Sequence, residues 1–259
     1  SFAGVSDLVF TTHDAPELKS CDAVFLAVPH TAAMAQVPAL LAAGVSCIDL
    51  SADYRLSDPA TFEAWYAAEH TSPELLKTRA FGLPELFCQD LDVAASSHAA
   101  GRPVLIACAG CYPTATSLAA APAVRAGWVA QSGPVIVDAI SGVTGAGKSC
   151  NARTHFCSAD ENLEAYGVGK HRHTPEIEQI LGLTDRVVFT PHLAPLKRGL
   201  LSTVTMPLAP QAIDSLALED VVDYYKQFYA GRIFVRVLDA GQQPKTASVV
   251  GTNAAQIGL

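Results

Sequence analysis

The sequence is poor in charge and holds no long apolar run. Only 16% of its 259 residues are Asp, Glu, Lys or Arg, while 50% are hydrophobic. A chain of that composition buries a sizeable core, which excludes a disordered or fibrous protein. Its longest apolar stretches, such as 23–29 and 134–140, are far too short to cross a bilayer as a helix. Positive charge is not in excess: 17 basic residues face 25 acidic ones, for a net charge of −8, which argues against a nucleic-acid partner. A local basic cluster can still hold an anionic small molecule. No signal-peptide pattern, internal repeat or low-complexity stretch is legible. The 7 cysteines are an odd number in mostly apolar settings, which points to thiols in a reducing compartment and hence to the cytoplasm.

What the sequence does contain is an alternation of strands and helices. Residues 23–28 (AVFLAV) and 45–50 (VSCIDL) are apolar runs of the kind found in a buried parallel sheet. Between them 31–43 has helical spacing and stops at Gly44. Residues 59–70 predict a helix, 73–76 a short turn, 104–107 a strand and 113–126 a helix. Further on, 135–141 and 186–190 predict strands flanking a short helix at 175–181. Residues 200–207 alternate as an antiparallel strand with one wetter face does, 217–229 is helical, and 233–238 alternates again. An α/β half thus precedes an α+β half, with the boundary near 110–113, which suggests two domains, residues 1–111 and residues 112–259.

Three motifs carry chemistry. In the first, Gly110-Cys111-Tyr112-Pro113-Thr114 joins a strand to a helix, with Pro113 suited to the first helical position. A thiol at that point meets the positive end of the helix dipole, which favours the thiolate a nucleophile requires. Most free cysteines are small core hydrophobes instead. Cys108 and Cys111 also spell C-x-x-C, a redox pattern, but Cys108 falls in the buried strand; a zinc site lacks a second ligand pair. In the second, residues 142–149 (GVTGAGKS) fit the phosphate-loop pattern, including Gly142, Gly145 and Lys148. Such a loop must run straight into a helix. The residues that follow have no apolar stripe, so a glycine-rich turn that still touches phosphate is expected. In the third, His171-Arg172-His173-Thr174-Pro175-Glu176 reads as a loop entering a helix capped by Thr174 and begun by Pro175. A loop histidine is an apt proton partner for a thiolate, and a solvated basic loop fits the segment equally well. Lys148, Arg153, Lys170, Arg172, Lys197 and Arg198 concentrate basic charge in the second half.

The segments DAVFLAVPH, IDLSADYRL, FGLPEL, AGCYPTA, SGVTGAGK, HRHTPEIEQ and TPHLAPLKRGLLST, in that order from Asp22 to Val204, resemble the N-acetyl-γ-glutamyl-phosphate reductases. The resemblance implies a Rossmann domain followed by a catalytic domain like that of glyceraldehyde-phosphate dehydrogenase. It also implies NADPH-dependent reduction of an acyl phosphate to an aldehyde through a thioester on Cys111. His173, or alternatively His171, carries the proton, and Glu176 orients the imidazole. Arg198, Lys148 and Arg55 bind substrate, and Ala27, Pro29, His30, Ser51, Gly142 and Gly145 line the NADP site. No metal is implied, the partner is a small acyl phosphate, and a homo-oligomer, dimer or tetramer, is expected. Two departures stand out: Ala109 replaces the family's usual proline, and the glycine-rich turn and final helix of the family have no counterpart in the chain. A fragment lacking both ends, with weak NADPH binding on its own, is therefore expected. The other readings are aspartate-semialdehyde dehydrogenase or another acyl-phosphate reductase, a phosphate-loop NTPase using residues 142–149, and a non-catalytic remnant.

Overall fold

The structure, a computed structural model, describes residues 4–7, 9–147 and 149–259. In chain order its elements begin β1 (Ala23–Leu26), α1 (Ala32–Ala42), β2 (Ser46–Asp49), α2 (Pro59–Tyr66), β3 (Ala80–Gly82), α3 (Cys88–Ala99) and β4 (Leu105–Cys108). They continue α4 (Cys111–Arg125), β5 (Val135–Gly142), α5 (Phe156–Ala159), β6 (Glu164–Ala165), α6 (Thr174–Leu181), β7 (Val187–Ala194) and β8 (Leu200–Thr205). Last come α7 (Pro210–Ile213), α8 (Leu218–Phe228), β9 (Val235–Val237) and β10 (Ala255–Ile257). The chain divides into two compact units. The first holds Ser1–Ser57, His70–Gly82 and Gln89–Cys108; the second holds Asp58–Glu69, Leu83–Cys88 and Ala109–Leu259.

The first unit carries a four-stranded, wholly parallel sheet of order β1-β2-β4-β3. This is the Rossmann-type sheet expected from the apolar runs. Buried strand residues such as Leu26, Cys47, Leu105 and Ala107 form its core. Gly82 is needed at the end of β3, because a Cβ there would meet the Cα of Cys108 at 2.9 Å. Arg55 donates from Nε to the carbonyl of Cys108 and from Nη2 to that of Leu50, each at 2.8 Å. Its guanidinium thus ties the ends of two strands. Thr31, just before α1, sits in the left-handed region at φ 72° and ψ −20°, a conformation that costs a residue with a Cβ about 1–2 kcal/mol.

The second unit carries a mixed sheet of order β6-β7-β5-β8 and a small parallel pair of β9 and β10. β5 runs parallel to β7 and antiparallel to β8, as the alternation of 200–207 predicts. Along β5 burial alternates, with Val135, Val137 and Ala139 inward. α4 packs against β8, α6 and α8. Each fully buried valine of β5 contributes about 1.5–3 kcal/mol of burial free energy. Thr116 on α4 shares a 2.9 Å hydroxyl hydrogen bond with Ser202 on β8. Tyr229 and Tyr225 donate to the carbonyls of Leu118 and Ala119 at 2.6 and 2.9 Å.

Some local expectations are corrected. Cys111 itself is the first residue of α4 and Gly110 its N-cap, so Pro113 stands third rather than first. The missing N–H still costs nothing, because the amides of a first turn have no acceptor within the helix. Thr174 is the first residue of α6 rather than its cap, and the cap position falls to His173 without a side-chain cap bond. α3 was not anticipated: it buries only Ala94 and so leaves little apolar periodicity.

Candidate active site

The second unit brings Cys111, His171, His173 and Glu176 into one neighbourhood by packing α6 beside α4. Cys111 is exposed at the first position of α4, and all seven cysteines are thiols. Glu176, only 1% exposed, accepts a 2.7 Å hydrogen bond at Oε1 from the backbone N–H of Gly110. A carboxyl group two positions into α6 therefore fastens the residue that caps α4, the helix Cys111 begins. This link could not be read from sequence, where the two groups are far apart.

An aromatic box surrounds the histidines. The rings of His171 and His173 lie 4.9 Å apart, with Tyr112 at 5.8 and 5.9 Å from them and Tyr166 at 5.4 Å from His171. The Tyr166 hydroxyl donates to that of Tyr112 at 3.2 Å, which donates to the carbonyl of His192 at 3.0 Å. Burial above all pushes both phenols up, and the proximity of the Cys111 sulfur adds to it. Tyr166 was missed in the sequence; its only signal was its place five residues before His171.

The two histidines are unlike. The Nδ1 of His171 accepts the backbone N–H of His173 at 3.1 Å, so its ring proton resides on Nε2. Burial first, then the charge of Arg172, depresses His171 from 6.5 to about 4. It is neutral at physiological pH. The unfolded chain takes up a proton between pH 6.5 and 4 that the folded chain refuses. Stability is therefore lost as pH falls through that window and levels off below it. The expected loss is on the order of 2 kcal/mol, after solvent screening at a half-buried ring. Urea denaturation at pH 7 and pH 5 checks it: the wild-type loss should shrink in His171→Gln, and equal losses in both would refute it.

Cys111 also lies on the wall of a cavity of about 670 Å³ formed by α4, residues 198–202 and residues 244–258. Arg198 and Lys245 line it with Cys111, Thr114 and Ser202. A volume of this size suits a small metabolite. Lys245 was another omission, because the motifs legible in sequence end at Val204. Gly142 closes β5 where a Cβ would meet the carbonyl oxygen of Leu196 at 2.7 Å, and its own N–H donates to Gly199 at 2.9 Å. Its glycine thus lets the Arg198 loop approach. Residues Val143–Ala146 form one short 3-10 turn, and the next helix is the four-residue α5. Among the described residues no phosphate-loop helix follows, as the missing apolar stripe predicts. Gly145 is exposed on that turn, and Lys148 lies outside the described residues. Arg153 stacks over the Tyr166 ring at 5.6 Å and pairs with Glu164 at 3.1 Å.

In the first unit, Ala27, Pro29 and His30 are exposed on the turn leaving β1. Carboxyl ends of parallel strands are where open α/β sheets bind ligands, so this turn fits a dinucleotide. Ser51, on the turn leaving β2, is buried; its N–H and hydroxyl donate to Asp49 at 2.8 and 3.0 Å. Arg55 is engaged with backbone carbonyls as described above. Among the described residues, no group of three His, Cys, Asp or Glu side chains could hold a metal ion, and no helix is long and apolar enough to cross a membrane.

Residues 1–94 match the family model of the semialdehyde dehydrogenase NAD-binding domain, and residues 111–259 that of the semialdehyde dehydrogenase dimerisation domain. An N-acetyl-gamma-glutamyl-phosphate reductase of Symbiobacterium thermophilum is 46% identical over 98% of this chain and 70% of its own length. That of Halorhodospira halophila is 43% identical over 99% of this chain and 71% of its own. Among solved structures, aspartate semialdehyde dehydrogenase II from Vibrio cholerae superimposes with a TM-score of 0.66 at 15% identity, over 93% of this chain and 70% of that one. Aspartate semialdehyde dehydrogenase with NADP from Candida albicans gives 0.61 at 15% identity, over 88% and 64%. Likeness at that identity speaks for the fold alone.

Proposed function

The chain belongs to the N-acetyl-γ-glutamyl-phosphate reductase family of semialdehyde dehydrogenases, and we propose that Cys111 is the thiol through which it works. The enzyme reduces N-acetyl-γ-glutamyl phosphate to N-acetylglutamate 5-semialdehyde and phosphate with NADPH, a step of arginine biosynthesis. The observation that carries the role of Cys111 is its place: exposed, first in α4, and on the wall of a cavity that also presents Arg198 and Lys245.

The Cys111 thiolate adds to the acyl carbon, an S–C bond forms, and phosphate leaves with the electron pair of the broken C–O bond. The positive end of the α4 dipole, where Cys111 stands, favours the thiolate and steadies the oxyanion. NADPH, when bound, supplies the hydride that makes the thioester carbon an aldehyde carbon. His173 holds the proton for the substrate oxygen and takes it back as the C–S bond breaks. The neutral, Nε2-protonated His171 supports His173 by accepting its backbone N–H, and this favours His173 as the proton carrier. Glu176 positions the nucleophile through Gly110 rather than touching substrate. Ala27, Pro29 and His30 are the cofactor contacts proposed for the first unit, where the Ser51 hydroxyl accepts the N–H of Asp53 and steadies the loop after β2. Arg55 has a structural use in its own unit.

Arg198, with Lys245, grips the anionic ends of the substrate. Arg198→Gln is expected to raise KM for N-acetyl-γ-glutamyl phosphate by about tenfold or more while leaving KM for NADPH unchanged. NADPH oxidation followed with this substrate and with aspartyl phosphate tests both claims. A wild-type preference for aspartyl phosphate would sink the substrate assignment; an unchanged KM in the variant would remove Arg198 from the site. The dimerisation domain supports an oligomer. The sheet face that exposes Ile136 and Val188 is the place for a second copy, in a dimer or in a tetramer built from dimers. Seven thiols support a cytoplasmic location.

A further inference from the structure

The segment Asp49–Asp53 contains a buried network that the chemistry at Cys111 does not use. Asp53 is fully buried, and its carboxylate faces the N-terminus of α1. Oδ1 accepts the N–H of Thr31 at 2.6 Å and Oδ2 that of Met34 at 3.0 Å. The carboxylate therefore fills the place where a helix N-terminus would take an external anion. The backbone of Asp53 is itself gripped from both sides. Its N–H donates to the Ser51 hydroxyl at 3.1 Å, and its carbonyl accepts from Nε2 of His70 at 2.9 Å. The N–H of Ser72 donates to Nδ1 of the same ring at 3.3 Å, which fixes that tautomer. Asp49, at the end of β2, anchors Ser51 in turn.

The network ends on a strained residue. Thr31 is a β-branched residue in the left-handed region, directly after the exposed turn of Ala27, Pro29 and His30. Strain of this kind persists only where surrounding bonds over-determine it, and it gathers at sites that must hold one shape. Here the bond that enforces it is the short one from Thr31 N–H to Asp53. The turn belongs to β1 and the carboxylate to the loop after β2, the neighbouring strand. One side chain thus sets the geometry of two adjacent loops at the carboxyl edge of the sheet, where a dinucleotide binds.

The geometry points to Asp53 as a positioning residue for NADPH: it holds the Ala27–His30 turn in the shape that receives the cofactor, without touching the cofactor itself. This rests on the reductase reading for its ligand, though not for its geometry. Asp53→Asn keeps the size and one acceptor oxygen but puts an NH₂ group opposite a backbone donor. In the whole protein, the dissociation constant for NADPH, read by fluorescence titration, should rise about tenfold. KM for NADPH should follow it, while kcat and KM for the acyl phosphate stay within about twofold of wild type. The amides of Thr31 and Met34 should exchange faster in the same variant without cofactor. Val37→Ala, at a fully buried position of the same helix, lowers stability away from the turn and should leave NADPH affinity intact. An Asp53→Asn protein that binds NADPH as wild type does would overturn the proposal, as would Val37→Ala weakening NADPH equally. If wild type fails to reduce the acyl phosphate while Asp53→Asn still loses NADPH affinity, the substrate assignment falls and the positioning role stands.

Discussion

Cys111→Ser is expected to lower kcat/KM for N-acetyl-γ-glutamyl phosphate by at least about 10³-fold in a protein that unfolds at the wild-type temperature. A serine hydroxyl is far less ionised than a thiol at this pH, and its alkoxide is a poorer leaving group than a thiolate when the tetrahedral adduct collapses. The fold should be indifferent, because the Cys111 side chain is exposed and the cap contact from Glu176 goes to Gly110. Mass spectrometry after mixing with the acyl phosphate, without NADPH, gives a second reading: an acyl adduct on wild type and none on the variant. A thiol-reactive probe near neutral pH should label Cys111 ahead of Cys21, Cys150 and Cys157, which are exposed as well. Retention of more than a tenth of the activity by the serine variant would remove Cys111 from the centre of the mechanism.

Replacement of His173 should come next in size. His173→Asn is expected to reduce kcat by about 10²–10³-fold, the usual worth of a positioned proton carrier, and to erase one limb of the pH profile of kcat/KM. His171→Asn should cost about tenfold and keep that limb, because an asparagine oxygen can replace Nδ1 as acceptor for the His173 amide. The reverse order of effects would transfer the proton role to His171. The test separates a residue that moves a proton from one that holds its neighbour in place.

The place of Cys111 at a helix start was legible because it depends on local signals. A glycine, a cysteine and a nearby proline at a strand-to-helix junction announce a thiol at a helix start, whichever residue opens the helix. β1, β2, β4, β5, β7 and β8 were legible for the same reason, since apolar runs and alternation are local, whereas β3 and β6, of three and two residues, are too short to leave such a pattern. What stayed hidden was everything carried by contact between distant segments. Glu176 was visible as a carboxylate near a histidine, but its bond to Gly110 spans 66 positions. Asp53 read as part of a recognisable segment, and nothing in IDLSADYRL reveals that its carboxylate caps α1. Lys245 joins the cavity only because residues 244–258 fold back beside α4. Arg55 was visible as a basic residue in a promising motif, but its hydrogen bonds to the carbonyls of Cys108 and Leu50 were not.

The bond from Gly110 to Glu176 has a bearing on how this scaffold can change. It welds one side of the proposed site into a single block, α4 with the sulfur of Cys111 and α6 with the imidazoles at its entry. The facing side, built from the stretches around Arg198 and Lys245, takes no part in that bond. Evolution or an engineer can therefore redraw the facing side to admit a longer or differently charged acyl phosphate while the chemistry is left alone. Alterations to the welded side should instead fail together, whichever of its members is touched first.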